Sequence, residues 1–210
     1  VHNIPKVMVP IGDKPLLWYH IQLLKKHGIK DIWINLHWYP HSIKNYFGDG
    51  SRFGVKISYS HRLLGTAGAI KNAEPFVKGD FIVSNGDTFL DIDFQEMVNF
   101  HEKHGFPFTM AVAEANHPKT QELVEINGNE IIKFHKRNTA EHENHLKEFR
   151  QPFVNGGAYI FSKKIFDYIP AGQKFSMEQD VFPKIINSFR GFIHRGYILD
   201  IADENDWREF

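Results

Sequence analysis

The chain has 210 residues, and its 25 lysine and arginine side chains are balanced by 25 aspartate and glutamate side chains. This balance gives no general electrostatic attraction for nucleic acid or for an acidic membrane surface. Cysteine is absent, which excludes disulfides and thiolate metal sites. No apolar run approaches the roughly 20 residues of a membrane span, and no signal peptide is recognisable. These features predict one cytoplasmic domain over residues 1–210.

The first half of the chain alternates predicted helices and strands. Apolar residues at helical spacing predict a helix over 15–27, with Pro15 in its first turn and Gly28 after its last. Asp93 is a suitable N-cap for a helix over 93–104. Further helices are expected over 40–47 and 66–73, and strands over 31–36, 55–60, 79–84 and 108–113. This alternation predicts an α/β fold with a Rossmann-like, doubly wound, mostly parallel sheet.

The second half has a different pattern. Apolar runs over 123–126 and 131–135 flank an Asn127-Gly128 turn, which predicts a hairpin. The polar stretch 138–151 is predicted to be an exposed loop, and Ser162 is expected to cap a short helix. The remaining predictions are strands over 153–161 and 191–201, a helix over 176–187 and a closing helix from Asp203. We therefore expect a small antiparallel part beside the parallel sheet.

The run Phe81-Ile82-Val83-Ser84-Asn85-Gly86-Asp87-Thr88 is the most informative motif in the chain. An apolar strand ends here and presents a carboxylate, and ligands collect beyond the carboxyl ends of strands in open α/β sheets. Carboxylate oxygens suit Mg²⁺, which usually shares them with substrate phosphates. An ordinary turn explains the same residues, because Asn, Gly, Asp and Thr are common in turns.

Five segments together resemble the sugar-1-phosphate nucleotidyltransferase family, whose members make NDP-sugars from an NTP and a sugar 1-phosphate. They occur in the family's order and cover nearly the whole chain. The segments are Ile4-Pro5-Lys6-Val7-Met8-Val9-Pro10 with Lys14-Pro15-Leu16-Leu17, Leu64-Gly65-Thr66-Ala67-Gly68-Ala69, Asn85-Gly86-Asp87-Thr88, Val154-Asn155-Gly156-Gly157-Ala158-Tyr159 and Gly196-Tyr197-Ile198-Leu199-Asp200-Ile201. Each is short, but the ordered set is specific.

The resemblance implies a role for residues in every segment. Lys6 would neutralise phosphate oxygens, and Asp87 and Asp200 would hold Mg²⁺ on the α-phosphate. The implied nucleotide-binding residues are Gly65, Thr66, Ala67, Gly68, Asn85 and Gly86, and the implied sugar-binding residues are Asn155, Gly157, Glu178 and Lys136. Arg137 is an alternative to Lys136. The partners implied are an NTP and a sugar 1-phosphate, and a homo-oligomer is compatible with the family.

Most of these residues also have a purely structural explanation. Lys6 fits a solvated lysine, and the glycines at 65 and 68 fit an ordinary loop before a helix. Asn155 suits a strand end, Asp200 suits the cap of a closing helix, and Glu178 near Ser176 fits routine helix capping.

Two other groups suggest metal chemistry. The pairs His101/His104 and His142/His145 each have three-residue spacing, but metal sites need further ligands, so solvated side chains are expected. Asp91-Ile92-Asp93 resembles the metal-binding triplet of many glycosyltransferases. Because this triplet precedes a predicted helix, capping by Asp93 is the simpler interpretation.

The resemblance also implies a strand and a glycine-rich phosphate-binding loop before residue 1. We interpret the chain as a fragment of a longer protein or as a shortened relative. Three functions stay open: a nucleotidyltransferase using GTP and a mannose- or manno-heptose-type 1-phosphate, a catalytically poor regulatory relative, or a metal-dependent glycosyltransferase using Asp91 and Asp93. Segments 175–184 and 191–200 look most like the family members that use the first pair of substrates.

Overall fold

The structure, a computed structural model, describes residues 4–119, 121–136, 138–148 and 152–200. Its helices are α1 (Leu16–Lys26), α2 (Pro40–Phe47), α3 (Gly65–Ala73), α4 (Phe94–His104), α5 (Ala140–Glu148) and α6 (Phe182–Ile185). Its strands are β1 (Pro10–Ile11), β2 (Lys14–Pro15), β3 (Asp31–Asn35), β4 (Lys56–Ser60), β5 (Phe81–Ser84), β6 (Thr88–Leu90), β7 (Phe108–Glu114), β8 (Leu123–Asn127), β9 (Glu130–His135), β10 (Phe153–Phe161), β11 (Phe189–Ile193) and β12 (Ile198–Asp200). Short 3₁₀ segments and a π-helical turn at Met177–Val181 connect them.

The main sheet contains six strands in the order β5-β10-β7-β11-β9-β8. Strand β10 also pairs with β8, so five of the strands form a closed ring and β5 extends it. Strand β10 is antiparallel to β5, β7 and β8, whereas β7 and β11 are parallel. Strands β3 and β4 form a separate parallel pair. The sheet is therefore a small, mixed, barrel-like structure.

The α/β class predicted from the sequence is confirmed, but a mostly parallel, doubly wound sheet is not what the described strands form. Only the β3–β4 and β7–β11 pairings among them are parallel. Strands β5 and β7 run in the same direction, as the intervening helix α4 requires. The later strand β10 inserts between them, so they are not neighbours. Alternation of elements along the sequence predicts direction but not which strand lies between.

Side chains of the sheet alternate between two apolar clusters, as the period of a strand requires. From β7, Met110 and Val112 pack in the cluster inside the ring, while Ala111 packs on the outer face against α4. From β10, Phe161 points to the inner cluster and Ile160 to the outer one. A third cluster lies between α1, α2 and the β3–β4 pair. The first two clusters thus cover the two faces of the six-stranded sheet.

Local signals fixed the ends of α4 correctly. The Asp93 carboxylate accepts a hydrogen bond from the backbone N–H of Glu96 at 3.0 Å, which is N-capping geometry. Gly105 follows the helix with a φ of 68°, a conformation that glycine adopts without a Cβ clash. The capping interpretation of Asp93 is therefore confirmed.

The histidines of α4 are packed against β7 and are not freely solvated, contrary to the expectation. His101 is 6% exposed, and its Nδ1 lies 2.7 Å from Oγ1 of Thr109 on β7. The Nε2 of His104 lies 2.8 Å from the same oxygen. Both imidazoles are held by one buried hydroxyl, because i and i+3 positions share a helix face.

The polar stretch after β9 was also predicted wrongly as an exposed loop. It contains α5, whose His142 and His145 are buried at 2% and 5% exposure. The Nε2–H of His142 donates to the carbonyl oxygen of Gln121 at 2.9 Å. Because histidine combines a flat ring with polar atoms, a segment rich in it has too weak an apolar period to predict a buried face.

Three further predictions fare differently. The helix expected over 176–187 is divided into a π-helical turn, α6 and a 3₁₀ turn, and Pro183 supplies no backbone N–H there. Ser162 precedes a 3₁₀ segment but makes no capping hydrogen bond through its side chain. The closing helix from Asp203 lies outside the described residues.

Within the part of the chain that is described, no helix has the length and apolar character needed to cross a membrane.

Candidate active site

Asp87 lies in the turn between β5 and β6, at the corner where the β5–β10 pair meets the β6–β12 pair. The backbone N–H of Asn85 donates to the carbonyl oxygen of Gly157 at 2.7 Å, which fixes this turn to β10. Strand β12 pairs antiparallel with β6, and Asp200 is opposite Thr88. The backbones of Asp87 and Asp200 therefore lie side by side, although 113 positions separate them along the chain.

Lys6 reaches the same corner from the N-terminal 3₁₀ segment Lys6–Met8. That segment packs directly on the turn, because a Cβ added at Gly86 would lie 2.9 Å from Cγ1 of Val7. The Nζ of Lys6 is 3.8 Å from Oδ2 of Asp87, and the two side chains are 52% and 43% exposed. An ion pair with this exposure and this separation contributes little to the free energy of unfolding. Both charges are available to a ligand.

The predicted sugar-binding strand contains a bulge next to this turn. The pairing of β10 with β7 shifts register between Asn155 and Tyr159. Within the bulge the N–H of Gly157 donates to Oδ1 of Asn155 at 3.0 Å, and Nδ2 of Asn155 donates to Oη of Tyr159 at 2.7 Å. Gly157 has a φ of 72°, and a Cβ there would lie 3.1 Å from Nδ2 of Asn85. A glycine is therefore required where the two predicted binding segments touch.

Burial holds the pKa of Tyr159 well above its usual range, so its hydroxyl stays protonated and keeps its hydrogen bonds. Asn155 uses one donor and one acceptor within the bulge and retains one of each, since an amide has two N–H groups and two oxygen lone pairs. The remaining pair matches a sugar hydroxyl.

The glycines of the predicted nucleotide loop have a packing role in the structure. Gly65 has a φ of 73°, and a Cβ there would lie 2.5 Å from the carbonyl oxygen of Phe175. A Cβ at Gly68 would lie 2.9 Å from the carbonyl oxygen of Gln173. The N–H of Ala67 donates to the Phe175 carbonyl at 3.0 Å. These residues thus bring the start of α3 against the segment 173–178.

Thr66 and Glu178 connect the predicted nucleotide loop to the predicted sugar site. The Oγ1–H of Thr66 donates to Oε2 of Glu178 at 3.0 Å, and the same Oγ1 accepts from the N–H of Met177 at 2.8 Å. Ser176 also donates to Oε2 of Glu178, at 2.8 Å. Ser176 therefore caps the π-helical turn, whereas Glu178 lies within that turn and links it to α3.

Lys136 is exposed and directly follows β9. Leu123 pairs with both Val154 and His135, so the next row of the sheet carries Asn155 and Lys136 on either side of β8. Across one intervening strand this is a separation of about 10 Å. Register thus brings Lys136 to the same sheet edge as Asn155. Arg137 lies outside the described residues.

His20 is a neighbour of the site that the sequence prediction missed. It is 8% exposed on α1, four residues after the buried Leu16. Burial lowers its pKa to about 4, although a hydrogen bond with the Thr88 backbone and the negative charge of Asp87 act to raise it. A neutral imidazole therefore lies beneath the turn that carries Asp87. Its spacing from Leu16 and Leu17 was the available signal for burial.

Comparison with known proteins identifies the family. The sequence model of the family described as "Nucleotidyl transferase" matches residues 2–203 of this chain. D-glycero-alpha-D-manno-heptose 1-phosphate guanylyltransferase of Campylobacter jejuni is 34% identical, over 100% of this chain and 90% of its own length. UTP--glucose-1-phosphate uridylyltransferase of Synechocystis sp. is 34% identical over 89% of this chain. The chain spans about half (51%) of the length of that relative.

Solved structures agree in fold. HddC from Yersinia pseudotuberculosis superimposes with a TM-score of 0.83 at 26% identity, over 99% of this chain and 88% of that one. A second structure of the same protein, complexed with GMP-PN, gives a TM-score of 0.82 at 26% identity, over 98% of this chain and 88% of that one. The resemblance found in the sequence, and with it the enzyme class, is confirmed: the chain belongs to the nucleotidyl transferase family.

Proposed function

We propose that this protein transfers a nucleotidyl group from GTP to a mannose- or manno-heptose-type 1-phosphate, forming an NDP-sugar and pyrophosphate. The observation that carries the proposal is the corner where Lys6, Asp87 and the backbone of Asp200 meet beside the Asn155–Gly157 bulge. A cation suits phosphate oxygens, a carboxylate suits a metal ion that neutralises phosphate, and a polar bulge suits sugar hydroxyls.

The reaction needs little covalent chemistry from the protein. An oxygen of the sugar phosphate attacks the α-phosphorus of the NTP, and the bond from that phosphorus to the bridging oxygen breaks as pyrophosphate leaves. Such transfers are accelerated by positioning and by neutralisation of charge. Lys6 is suited to the second task, because its ammonium group is a compact cation on a flexible stem. Asn155 and Glu178 are suited to orienting the sugar.

Asp87 and Asp200 would hold a Mg²⁺ ion. Asp87 fits the ion, since its carboxylate is partly exposed, its ion-pair partner Lys6 is 3.8 Å away and it offers hard oxygen ligands. When bound, Mg²⁺ neutralises phosphate charge. Within this chain, the turn fixed by Asn85 and the register of β12 with β6 keep the two aspartate backbones together.

The choice of substrates rests on the relatives. The Campylobacter protein and a second heptose 1-phosphate guanylyltransferase, from Aneurinibacillus thermoaerophilus, match along 90% and 89% of their lengths. The Yersinia structure was solved with a guanine nucleotide analogue. These similarities favour GTP and a manno-heptose-type sugar over UTP and glucose 1-phosphate.

Nothing observed favours the glycosyltransferase alternative. Asp93 is engaged as the N-cap of α4, and the hydrogen bond from the Glu96 backbone holds its pKa below the usual range. The regulatory alternative predicts binding of nucleotide-sugar without turnover.

The test is pyrophosphate release with Mg²⁺, screening GTP, UTP, dTTP and CTP against mannose, manno-heptose and glucose 1-phosphates. The protein's intact mass is verified first. We expect release with GTP and a manno-configured sugar. Release only with another pair would overturn the substrate assignment. Absence of release across the panel, with nucleotide-sugar still bound, would overturn the enzyme proposal in favour of the regulatory one.

A further inference from the structure

Three side chains that nucleotidyl transfer does not use meet between β8, β9 and α5: Glu125, His135 and His145. One nitrogen of each histidine and one carboxylate oxygen of Glu125 lie within 4.8 Å of one another. The Nε2 of His135 is 2.9 Å from Oε2 of Glu125. The ring of His145 stacks on that of His135, with centroids 4.2 Å apart and planes inclined by 21°. Three elements thus contribute one side chain each to a compact group.

The group is buried and incompletely hydrogen-bonded. Both imidazoles are 5% exposed, and Nδ1 of His135 has no hydrogen-bond partner in the described structure. A buried polar atom without a partner costs folding free energy. His101 and His104 offer a contrast, because Thr109 lies within hydrogen-bond distance of both. The His135 imidazole therefore has unused bonding capacity that packing alone does not explain.

The donor set matches a borderline metal ion. Zn²⁺ binds imidazole nitrogen and carboxylate oxygen, and sites with two histidines and one glutamate are a familiar combination. His142, three residues before His145 on α5, is not a candidate ligand, because its Nε2–H is donated to the carbonyl of Gln121.

We propose that Glu125, His135 and His145 form a binding site for one divalent transition-metal ion, with Zn²⁺ as the expected occupant. Tetrahedral zinc bonds of about 2.0 Å place neighbouring ligand atoms about 3.3 Å apart. The three ligand atoms, now within 4.8 Å of one another, therefore have to approach, and the stacked imidazoles have to turn so that their nitrogens converge on the ion. A fourth position is left for water. When Nε2 of His135 binds the ion, the proton that this nitrogen shares with Glu125 passes to Nδ1 of the same ring, which has no hydrogen-bond partner in the described structure.

The site would fix α5 to the hairpin of β8 and β9. The polar contacts that already join these elements include the ion pair of Lys133 with Glu141 at 3.0 Å. Lys136 directly follows His135, so an ion bound here also holds the end of β9. This role is distinct from that of Mg²⁺ at Asp87, since one site offers nitrogen ligands and the other only oxygen.

The experiment titrates chelator-treated protein with Zn²⁺ in the presence of excess Mg²⁺, which occupies the oxygen ligands at Asp87. Binding is followed through the ¹⁵N signals of the histidine side chains and through the thermal midpoint. We expect one Zn²⁺ per chain, shifts confined to His135 and His145, and a raised midpoint. Glu125→Gln and His145→Gln should each weaken Zn²⁺ binding at least about tenfold.

Glu141→Gln is the matched control. It removes the neighbouring ion pair but no ligand, so it should keep the Zn²⁺-induced shifts and the Zn²⁺ affinity, and because the pair is largely exposed the midpoint should change little. Unmoved signals of His135 and His145, or unchanged affinity in both ligand variants, would overturn the proposal and leave a buried histidine–carboxylate contact. If His145→Gln does not fold, Glu125→Gln, which keeps the side chain's shape, decides. No readout depends on nucleotidyl transfer, so this test stands whatever the substrate panel gives.

Discussion

The hydroxyl of Thr66 donates to the carboxylate of Glu178 at 3.0 Å, across 112 positions of sequence. Thr66 lies in the first turn of α3 and is one of the predicted nucleotide-binding residues, and Glu178 lies in the segment predicted to contact the sugar. The same hydroxyl accepts from the backbone of Met177, so the contact fixes main chain as well as side chain. These hydrogen bonds thus connect the predicted nucleotide-binding segment to the predicted sugar-binding segment before any substrate is bound.

Removing this contact should impair sugar use through a residue that is predicted to touch only the nucleotide. Thr66→Val keeps the side-chain shape but loses the hydroxyl, and Glu178→Gln loses the charge. We expect Thr66→Val to raise the KM for the sugar phosphate, because Glu178 loses one of its two anchors. A double-mutant cycle in urea should give a coupling free energy of about 1–3 kcal/mol. Strictly additive variants would show that the two residues act independently.

Asp87→Asn should lower kcat at least about 100-fold, because the neutral amide is a poor ligand for Mg²⁺ and supplies no negative charge. The side chain is 43% exposed, so its replacement should change the free energy of unfolding by no more than about 0.5 kcal/mol. Steady-state pyrophosphate release and urea unfolding measure the two effects. Activity equal to wild type in this variant would contradict the metal assignment.

Lys6→Ala should weaken triphosphate affinity about tenfold while leaving the affinity for the free sugar unchanged, since the proposed role of the lysine is to neutralise phosphate oxygens. Lys56 provides a matched control. It is also an exposed lysine, and its Nζ lies 3.5 Å from Oδ1 of Asp31 on the separate β3–β4 pair. Isothermal titration with a nonhydrolysable NTP compares the variants. Equal losses in Lys6→Ala and Lys56→Ala would indicate a general charge effect instead of a phosphate contact.

Acidification should destabilise the protein through His104. Burial, with the nearby His101 and Arg190, lowers the pKa of His104 to about 4 from an ordinary 6.5. Its Nδ1 accepts from the N–H of Phe106 at 2.9 Å, which only the deprotonated nitrogen does. The unfolded chain therefore takes up a proton that the folded protein excludes. The stabilisation is complete above pH 6.5 and is lost as the pH falls towards 4.

Urea unfolding at intervals between pH 7 and pH 4 measures this dependence. His104→Gln should show a shallower loss of stability over that range, and the exposed His61→Gln controls for removal of a histidine as such. Identical pH profiles for wild type and His104→Gln would contradict the assignment to this residue.

Local chemistry predicted most of the elements. The helix beginning after Pro15, the capping by Asp93 and the hairpin at Asn127-Gly128 depend on short-range signals, and each was found. Lys6, Asp87 and Asp200 were grouped only through the family resemblance, because no local rule joins residues so far apart. Their proximity depends on the β12–β6 register and on the packing of Gly86 against Val7.

The errors share a physical origin in long-range contacts. The buried faces of His101, His142 and His145 are created by Thr109, Gln121 and His135, none of which lies on the same helix. The position of β10 between β5 and β7 is likewise determined by tertiary packing. An apolar strand can pair with either a parallel or an antiparallel neighbour, so its sequence does not specify which strand lies beside it. Periodicity describes which side of an element is apolar and says nothing about its partner.

The central position of β10 also determines when this protein can fold during its synthesis. Ser84 and Ala158 are paired across 74 positions, and β5, β7 and β8 all depend on the same late strand. Until residue 161 leaves the ribosome, those strands present unpaired edges, which are sites of association with other chains. Pairings of such long range form slowly. The nascent chain is therefore most vulnerable to aggregation just before β10 emerges, and at that stage chaperones would assist it most.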